Sequence, residues 1–140
     1  MTLMKKIHQT KFEIFYEDTD SSGFTYHTSY LKLAERARSQ FVRENLVEIK
    51  DKMINNSFFF VVREIKVSFL KPTFLYDQLD VETFFLKNSL ASLDLKQLIL
   101  KNDIVVCEVF VNLVWINGKS NKPSKISKNI IARFNSFEVV

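Results

Sequence analysis

The sequence predicts an α+β domain in which an antiparallel sheet of about five strands wraps around one long central helix. Apolar residues recur at helical spacing over residues 28–45, and they alternate with polar residues, as strands do, in four segments between residues 61 and 116. At 140 residues the chain has room for one hydrophobic core, so a single domain over residues 1–140 is expected. The helix and the sheet each need an apolar face covered, and wrapping one around the other covers both.

The first elements surround the most polar part of the chain. Residues 11–16 partly alternate and predict a first strand that delivers a pair of acids at its end. The long helix follows, with Thr28 or Ser29 as its cap, and it ends near Asn45. A short polar helix or loop is expected at residues 48–56.

Four strands follow, at residues 61–69, 79–85, 91–100 and 104–116. In the first of them, Val61 is predicted to share a face with Ile65, Val67 and Phe69, and Pro72 marks its end because proline cannot donate to a sheet. A basic loop and a tail helix at about residues 126–135 complete the chain, and the core is expected over about residues 11–116.

Composition excludes several classes of protein. The net charge of +4 suits an anionic partner, which leaves nucleic acid, a membrane surface or a phosphorylated molecule such as coenzyme A open. Two glycines are too few for a glycine-rich nucleotide loop. No apolar run has the length of a signal peptide or a membrane span, so a cytoplasmic protein without membrane insertion is expected.

The single cysteine and two histidines are too few for an ordinary zinc site, and no metal or cofactor is expected. Cys107 lies in an alternating apolar strand, where a free cysteine behaves as a small buried hydrophobe. Its expected role is core packing.

The chemistry-bearing residues gather just before the long helix. Asp18 and Asp20 precede the turn-forming Ser21-Ser22-Gly23, and His27 stands at the predicted helix start. Helix starts offer unpaired N–H groups and a partial positive charge, which favour a developing oxyanion. From the residues alone, Asp20 is either a catalytic carboxylate or a turn residue that bonds its own backbone.

The same stretch belongs to a long motif without gaps. Its residues are Tyr16-Glu17-Asp18-Thr19-Asp20, Gly23, Tyr26-His27-Thr28-Ser29-Tyr30 and Glu35-Arg36-Ala37-Arg38, followed by Phe60-Val61-Val62-Arg63, Pro72-Thr73 and Asp77. This pattern resembles the YbgC-like branch of the 4-hydroxybenzoyl-CoA thioesterase family, which has the hotdog fold. The resemblance covers roughly residues 11–116 and implies an acyl-CoA thioesterase.

The resemblance also implies roles for individual residues. Asp20, the second acid of the pair, would act as the nucleophile or as a general base on water, with His27 and Tyr16 beside it. The backbone N–H at the start of the helix would bind the oxyanion. Asp18 is expected to stabilise the turn and not to act as a second catalytic acid.

Substrate contacts are expected from Gly23, Tyr26, Arg63 and Lys71. Arg63 and Lys71, with Lys66, Lys119, Lys122 and Lys125, suit the phosphates of coenzyme A, and a solvated basic face is the equally simple alternative. The implied substrates are short-chain acyl-CoA or acyl-carrier-protein thioesters. Phe24, which stands where relatives carry a smaller aliphatic residue, is expected to reshape the acyl pocket.

In this family two sheets join edge to edge with active sites at the shared boundary, so a homodimer or homotetramer is expected. Association with Tol-Pal or lipid-synthesis proteins is a further implication of the resemblance.

Three alternatives to the thioesterase stay open. One is a hotdog scaffold that binds acyl-CoA or a partner without turnover, and the intact Asp20 and His27 argue against it. A dehydratase would need a His and Glu pair with a proline-rich loop, and only Pro72 and Pro123 occur. A nucleic-acid module would need exposed aromatic residues interleaved with basic ones, which strands that require burial fit poorly.

Overall fold

A computed structural model describes residues 4–140 of the chain. The strands are β1 (Lys5–Glu13), β2 (Phe58–Phe69), β3 (Gln78–Asn88), β4 (Ser92–Lys101), β5 (Ile104–Asn117) and β6 (Lys122–Pro123). The five long strands form one antiparallel sheet in the order β1-β3-β4-β5-β2, and the short β6 pairs with β5. The helices are α1 (His27–Asn45), α2 (Val47–Ile54) and α3 (Lys128–Asn135). The predicted α+β architecture, a sheet curled against one long helix, is confirmed.

The long helix α1 buries the face that the sequence predicts. Its buried residues recur three and four apart, as expected for one face of a helix, and include Tyr30, Leu33, Ala34, Ala37 and Phe41. The predicted cap is wrong: the residue before the helix is Tyr26, and no side chain caps it. The Ser29 hydroxyl instead donates to the Asp18 carbonyl at 3.0 Å.

Two apolar clusters pack along α1. The cluster beside the first half of the helix joins Leu33 and Ala34 to Val81 and Val109 of the sheet. The cluster beside the second half, around Phe41, also contains residues from outside the predicted core bounds, namely Ile7, Ile126, Ile130 and Phe134. The tail helix therefore closes one end of the core, and each such side chain contributes roughly 1.5–3 kcal/mol of burial.

The first strand lies earlier than predicted. β1 covers Lys5–Glu13, and the chain has already turned at Tyr16–Asp18, a single 3₁₀ turn. The early part of β1 is too polar to be recognised from alternation. Lys6 in this part of the strand forms a cross-strand ion pair, with its Nζ 2.8 Å from Glu82 Oε2.

A bulge changes the face of β2. Its pairing with β5 shifts register between Val62 and Glu64, leaving Arg63 as the extra residue. Val61 therefore lies on the opposite face from Ile65, and the prediction that they share a face is wrong.

The remaining expectations concern burial. Cys107 is fully buried in the core, as predicted, and burial raises the pKa of its thiol to about 12. Over residues 4–140, no helix is both long and apolar enough to cross a bilayer.

Candidate active site

Residues 18–26 form a small hairpin between β1 and α1. The Asp20 N–H donates to the Phe24 carbonyl at 3.0 Å, and the Tyr26 N–H donates to the Asp18 carbonyl at 2.8 Å. Gly23 closes the turn with φ +86°, and a Cβ there would meet no atom within 4 Å. Glycine is therefore favoured here by backbone conformation and not by lack of space.

The Asp20 carboxylate is exposed at the tip of this hairpin. Its Oδ1 accepts a hydrogen bond from the Ser22 N–H at 2.8 Å and a short one from the Ser22 hydroxyl. These bonds, the hydroxyl's first, hold the pKa of Asp20 below its usual value. Both of these hydrogen bonds end on Oδ1, and within residues 4–140 no hydrogen bond to Oδ2 is present.

Asp18 has a structural role, as predicted. Its Oδ2 accepts from the Phe15 N–H at 2.9 Å and thereby stabilises the 3₁₀ turn. Its carbonyl accepts from the Tyr26 N–H and from the Ser29 hydroxyl. Asp18 thus fastens the hairpin to the first turn of α1.

The start of α1 has unpaired donors. In the described part of the chain, nothing accepts a hydrogen bond from the backbone N–H groups of His27 and Thr28, as is usual in a first helical turn. The exposed His27 ring packs against Tyr26, with centroids 4.5 Å apart, and lies 6.0 Å from the Phe69 ring. No hydrogen bond joins His27 to Asp20 in this structure.

Tyr16 takes part in the turn through its backbone. Its carbonyl accepts from the Thr19 N–H at 3.1 Å and from the Thr19 hydroxyl at 2.8 Å. Its side chain is 81% exposed and makes no hydrogen bond with a described residue. The ring is therefore free to meet a ligand or a second protein copy.

Thr73 holds the hairpin in place, and it is not among the site residues predicted from the sequence. It is fully buried, and its hydroxyl lies 2.7 Å from the Thr25 hydroxyl and 2.8 Å from the Tyr30 hydroxyl. Its carbonyl accepts from the Thr25 N–H at 2.8 Å. The available signal was a set of hydroxyl residues within the motif, but three hydroxyls that meet in space cannot be paired from one sequence.

A second anchor lies under the same loop. Asp77 Oδ2 accepts from the Phe74 N–H and from Lys101 Nζ, both at 2.8 Å. Phe74 in turn contacts Phe24, with ring centroids 5.3 Å apart. The hairpin that carries Asp20 therefore rests on a loop that is itself tied to β4.

The predicted basic contacts lie on and after the edge strand β2. Arg63 is the bulge residue, and Lys71 follows the end of the strand. Both side chains are exposed, and neither makes an ion pair with a described residue. No contact in this single copy joins them to Asp20.

An apolar cavity of about 360 Å³ lies at the other end of the helix, between the second half of α1, α2 and the sheet. Asp20 and His27 do not line it. The residues described, 4–140, contain no group of three His, Cys, Asp or Glu side chains placed to hold a metal.

Comparison with known proteins identifies relatives of the chain. The acyl-CoA thioester hydrolase YbgC of Shigella flexneri is 31% identical over 122 residues, which cover 86% of this chain and 90% of that protein. The acyl-CoA thioesterase YbgC of Helicobacter pylori is 41% identical over 71 residues, half of each chain.

Solved structures match as well. A probable thioesterase from Bartonella henselae superposes with a TM-score of 0.76 at 28% identity, covering 86% of this chain and 98% of that one. A Thermus thermophilus thioesterase complexed with coenzyme A and zinc gives a TM-score of 0.81 at 21% identity, covering 94% and 99%, a likeness of fold alone.

These matches confirm the hotdog fold and the thioesterase family that the motif implies. The profile described as the thioesterase-like superfamily matches residues 15–134. The chain therefore belongs to the thioesterase-like superfamily.

Proposed function

We propose that this protein hydrolyses the thioester of acyl-CoA or acyl carrier protein, with Asp20 as the reacting carboxylate. The observation that carries the proposal is the hairpin at residues 18–26. It offers the unbonded Oδ2 of Asp20 in the same short segment as the unpaired N–H groups at the start of α1. The YbgC relatives are named as acyl-CoA thioesterases, which supports the same reaction.

Two routes are open to Asp20. As a nucleophile, its oxygen adds to the thioester carbon, the C–S bond breaks, and water then hydrolyses the acyl anhydride. As a general base, it takes a proton from a water molecule that adds directly to the carbon, the C–S bond breaks, and the proton passes to the leaving thiolate. Both routes release a free acid and a thiol, and both develop an oxyanion that the N–H groups of His27 and Thr28 would stabilise.

The remaining predicted site residues are proposed to serve the same reaction. The His27 ring is exposed and would orient Asp20 or the attacking water, and Tyr16 and Tyr26 would contact the substrate beside it. Arg63 and Lys71 carry charges without ion-pair partners in the described chain, which suits the phosphates of coenzyme A.

We propose further that the active unit is a homodimer, or a tetramer built from such dimers, joined through β2. This strand forms an edge of the sheet, and it exposes an unusual amount of apolar surface. The exposed apolar residues on and just after it are Val61, Val62, Ile65, Phe69 and Leu70. A second copy of the same strand would cover them, as a two-fold interface requires.

Such pairing would complete the site. The Phe69 ring, at the end of β2, packs near the rings of His27 and Tyr30, with ring centroids 6.0 and 5.9 Å apart. Phe60, near the start of β2, lines the apolar cavity. Antiparallel pairing about a two-fold axis sets the start of one β2 beside the end of the other. The Asp20 hairpin of one copy would then face the cavity of its neighbour.

The test is coenzyme A release from a panel of acyl-CoA thioesters by wild type, Asp20→Asn and Asp18→Asn. Asparagine at position 20 keeps an acceptor for Ser22 but removes the reacting carboxylate, so we expect a loss of about a hundredfold or more. Asp18→Asn keeps an acceptor for the Phe15 N–H, and we expect its rate within about threefold of wild type. If Asp20→Asn retains turnover, the protein is a thioesterase but Asp20 is not its reacting carboxylate.

The alternative is a hotdog scaffold that binds acyl-CoA without hydrolysing it. Binding of acyl-CoA with no turnover of any ester would select this alternative. The cytoplasmic location and an association with Tol-Pal or lipid-synthesis proteins stay predictions.

A further inference from the structure

The apolar cavity at the second half of α1 is lined in part by charged side chains, which a hydrocarbon chain does not need. Its walls are mainly the side chains Phe41, Leu46, Met53, Phe60, Leu93 and Leu113. Arg38 also lines it, and is the residue that ends the motif segment 35–38. The mechanism at Asp20 gives Arg38 no role.

A buried network fixes the position of Arg38. Its Nη1 donates to Gln97 Oε1 at 2.8 Å. Gln97 is fully buried, and its Nε2 donates to the Ala34 carbonyl at 2.8 Å and to the Thr83 hydroxyl at 3.1 Å. Because both acceptors lie on the amide nitrogen's side, Gln97 must present its oxygen to Arg38.

The Arg38 charge lacks a carboxylate in contact. Its guanidinium has five N–H donors, and within residues 4–140 no Asp or Glu oxygen lies within 4.0 Å of it. Glu35, one turn earlier on α1, is exposed and acts on it only at longer range. Burial lowers the pKa of Arg38, which reflects the cost of holding this charge away from water.

The charges around the cavity favour an anion. The charged side chains that line it are three cations, Arg38, Arg43 and Lys50, and one anion, Glu35. Arg43 and Lys50 have weak contacts with acidic neighbours in sequence, at 3.9 and 3.7 Å. Arg38 alone is pinned by a buried network, so it is the cation with a fixed direction.

We propose that the cavity takes acyl groups that carry a carboxylate at the end distant from the thioester, and that Arg38 binds this carboxylate. The inference rests on the proposed function and on the pairing of β2. Within one copy, Arg38 lies eleven residues after His27, which is about 16 Å along the helix. With β2 paired, the thioester sits at the Asp20 of the second copy while the acyl group enters this cavity.

The test compares substrates that differ only at the distal end. Wild type is assayed with adipyl-CoA and hexanoyl-CoA, and with glutaryl-CoA and pentanoyl-CoA. We expect kcat/KM to favour the carboxylated member of at least one pair by about ten- to a hundredfold, the scale of one charged hydrogen bond. Arg38→Met should remove the preference, and Arg38→Lys should restore part of it.

A second measurement separates this inference from the proposed function. Monomethyl adipate and methyl hexanoate are each tested for raising the thermal unfolding temperature of wild type and Arg38→Met. Turnover without a preference for carboxylated esters, or a preference that survives Arg38→Met, overturns the inference and leaves the thioesterase intact. If no ester is turned over, stabilisation by monomethyl adipate that requires Arg38 supports the carboxylate site but not the thioesterase function. If monomethyl adipate also fails to stabilise the protein, both the carboxylate site and the thioesterase function are rejected. Should Arg38→Met not fold, the wild-type preference decides.

Discussion

The two oxygens of the Asp20 carboxylate have different surroundings, because Ser22 donates two hydrogen bonds to Oδ1 and none to Oδ2. The Ser22 hydroxyl is the largest cause of the lowered pKa of Asp20, and the Ser22 N–H is the next. Stabilising the charged form keeps the carboxylate ionised, as both a base and a nucleophile require.

We therefore predict that Ser22→Ala raises the pKa of Asp20. The alanine keeps the backbone N–H bond and loses only the hydroxyl bond, so the shift is upward. Activity depends on the ionised form and is lost as pH falls through this pKa, so the acid limb of the pH–rate profile should move to higher pH. Near neutral pH the Asp20 carboxylate is expected to be ionised in both wild type and Ser22→Ala, so their rates should agree within about threefold. Carbon NMR of the Asp20 carboxyl group reports the pKa directly.

Ser21→Ala is the matched control. Ser21 is the exposed neighbour of Ser22 and makes no hydrogen bond to Asp20. The proposed effect of Ser22 on the pKa of Asp20 would be wrong if the acid limb of the pH–rate profile stays in place in Ser22→Ala. It would also be wrong if the limb moves equally in Ser21→Ala.

What the sequence predicts at this scale depends on distance along the chain. Asp18, Asp20 and Gly23 act within a few residues of one another, and turn chemistry predicts their roles. Thr73 lies 48 residues from its partner Thr25. A contact across that separation leaves no mark in local periodicity, which is why the residue that seats the hairpin is absent from the predicted site.

At the scale of elements, the end of β5 depends on the turn that enters β2. Gly118 donates its N–H to the Ser57 carbonyl at 2.9 Å, and a Cβ on Gly118 would lie 2.2 Å from the Asn56 carbonyl oxygen. Both of these partners are backbone atoms, which cannot move aside as a flexible side chain does.

Gly118→Ala should therefore destabilise the fold by about 1–3 kcal/mol, the usual cost of overpacking. Denaturant unfolding measures this effect. Lys119→Ala, an exposed change in the same turn, should stay within about 0.5 kcal/mol of wild type. Equal stability of the two variants would contradict the close backbone approach.

The elements also separate what periodicity reveals from what it hides. α1 is predicted almost to the residue because its buried face repeats over five turns. The bulge at Arg63 is not predicted, since one inserted residue moves Val61 to the other face without altering composition. β1 is misplaced because its first half is polar and shows no clear alternation, although its backbone pairs with β3 and Lys6 forms an ion pair with Glu82.

At the scale of the whole molecule, the Asp20 carboxylate, which we propose as the reacting group, and the apolar cavity lie at opposite ends of α1. In a single copy, the cavity therefore does not adjoin Asp20, and neither Asp20 nor His27 lines its walls. The proposed two-fold pairing through β2 would bring Asp20 of one copy to the cavity of the other and would cover the exposed apolar edge. The sequence motif alone cannot reveal this, because the cavity is assembled from residues scattered over α1, α2 and four strands.

This arrangement predicts that activity requires the pair. Val61 is 39% exposed on β2 and lies on the face away from the cavity. A lysine at this position would put one positive charge from each copy at the β2–β2 interface of a two-fold dimer. Val61→Lys should therefore sediment as a folded monomer and lose most of its coenzyme A release, although Asp20 and Arg38 are unchanged. Gln9→Lys adds the same charge to β1, the opposite edge of the sheet, and should keep both assembly and rate. A monomeric Val61→Lys with full activity would show that one copy contains the whole site.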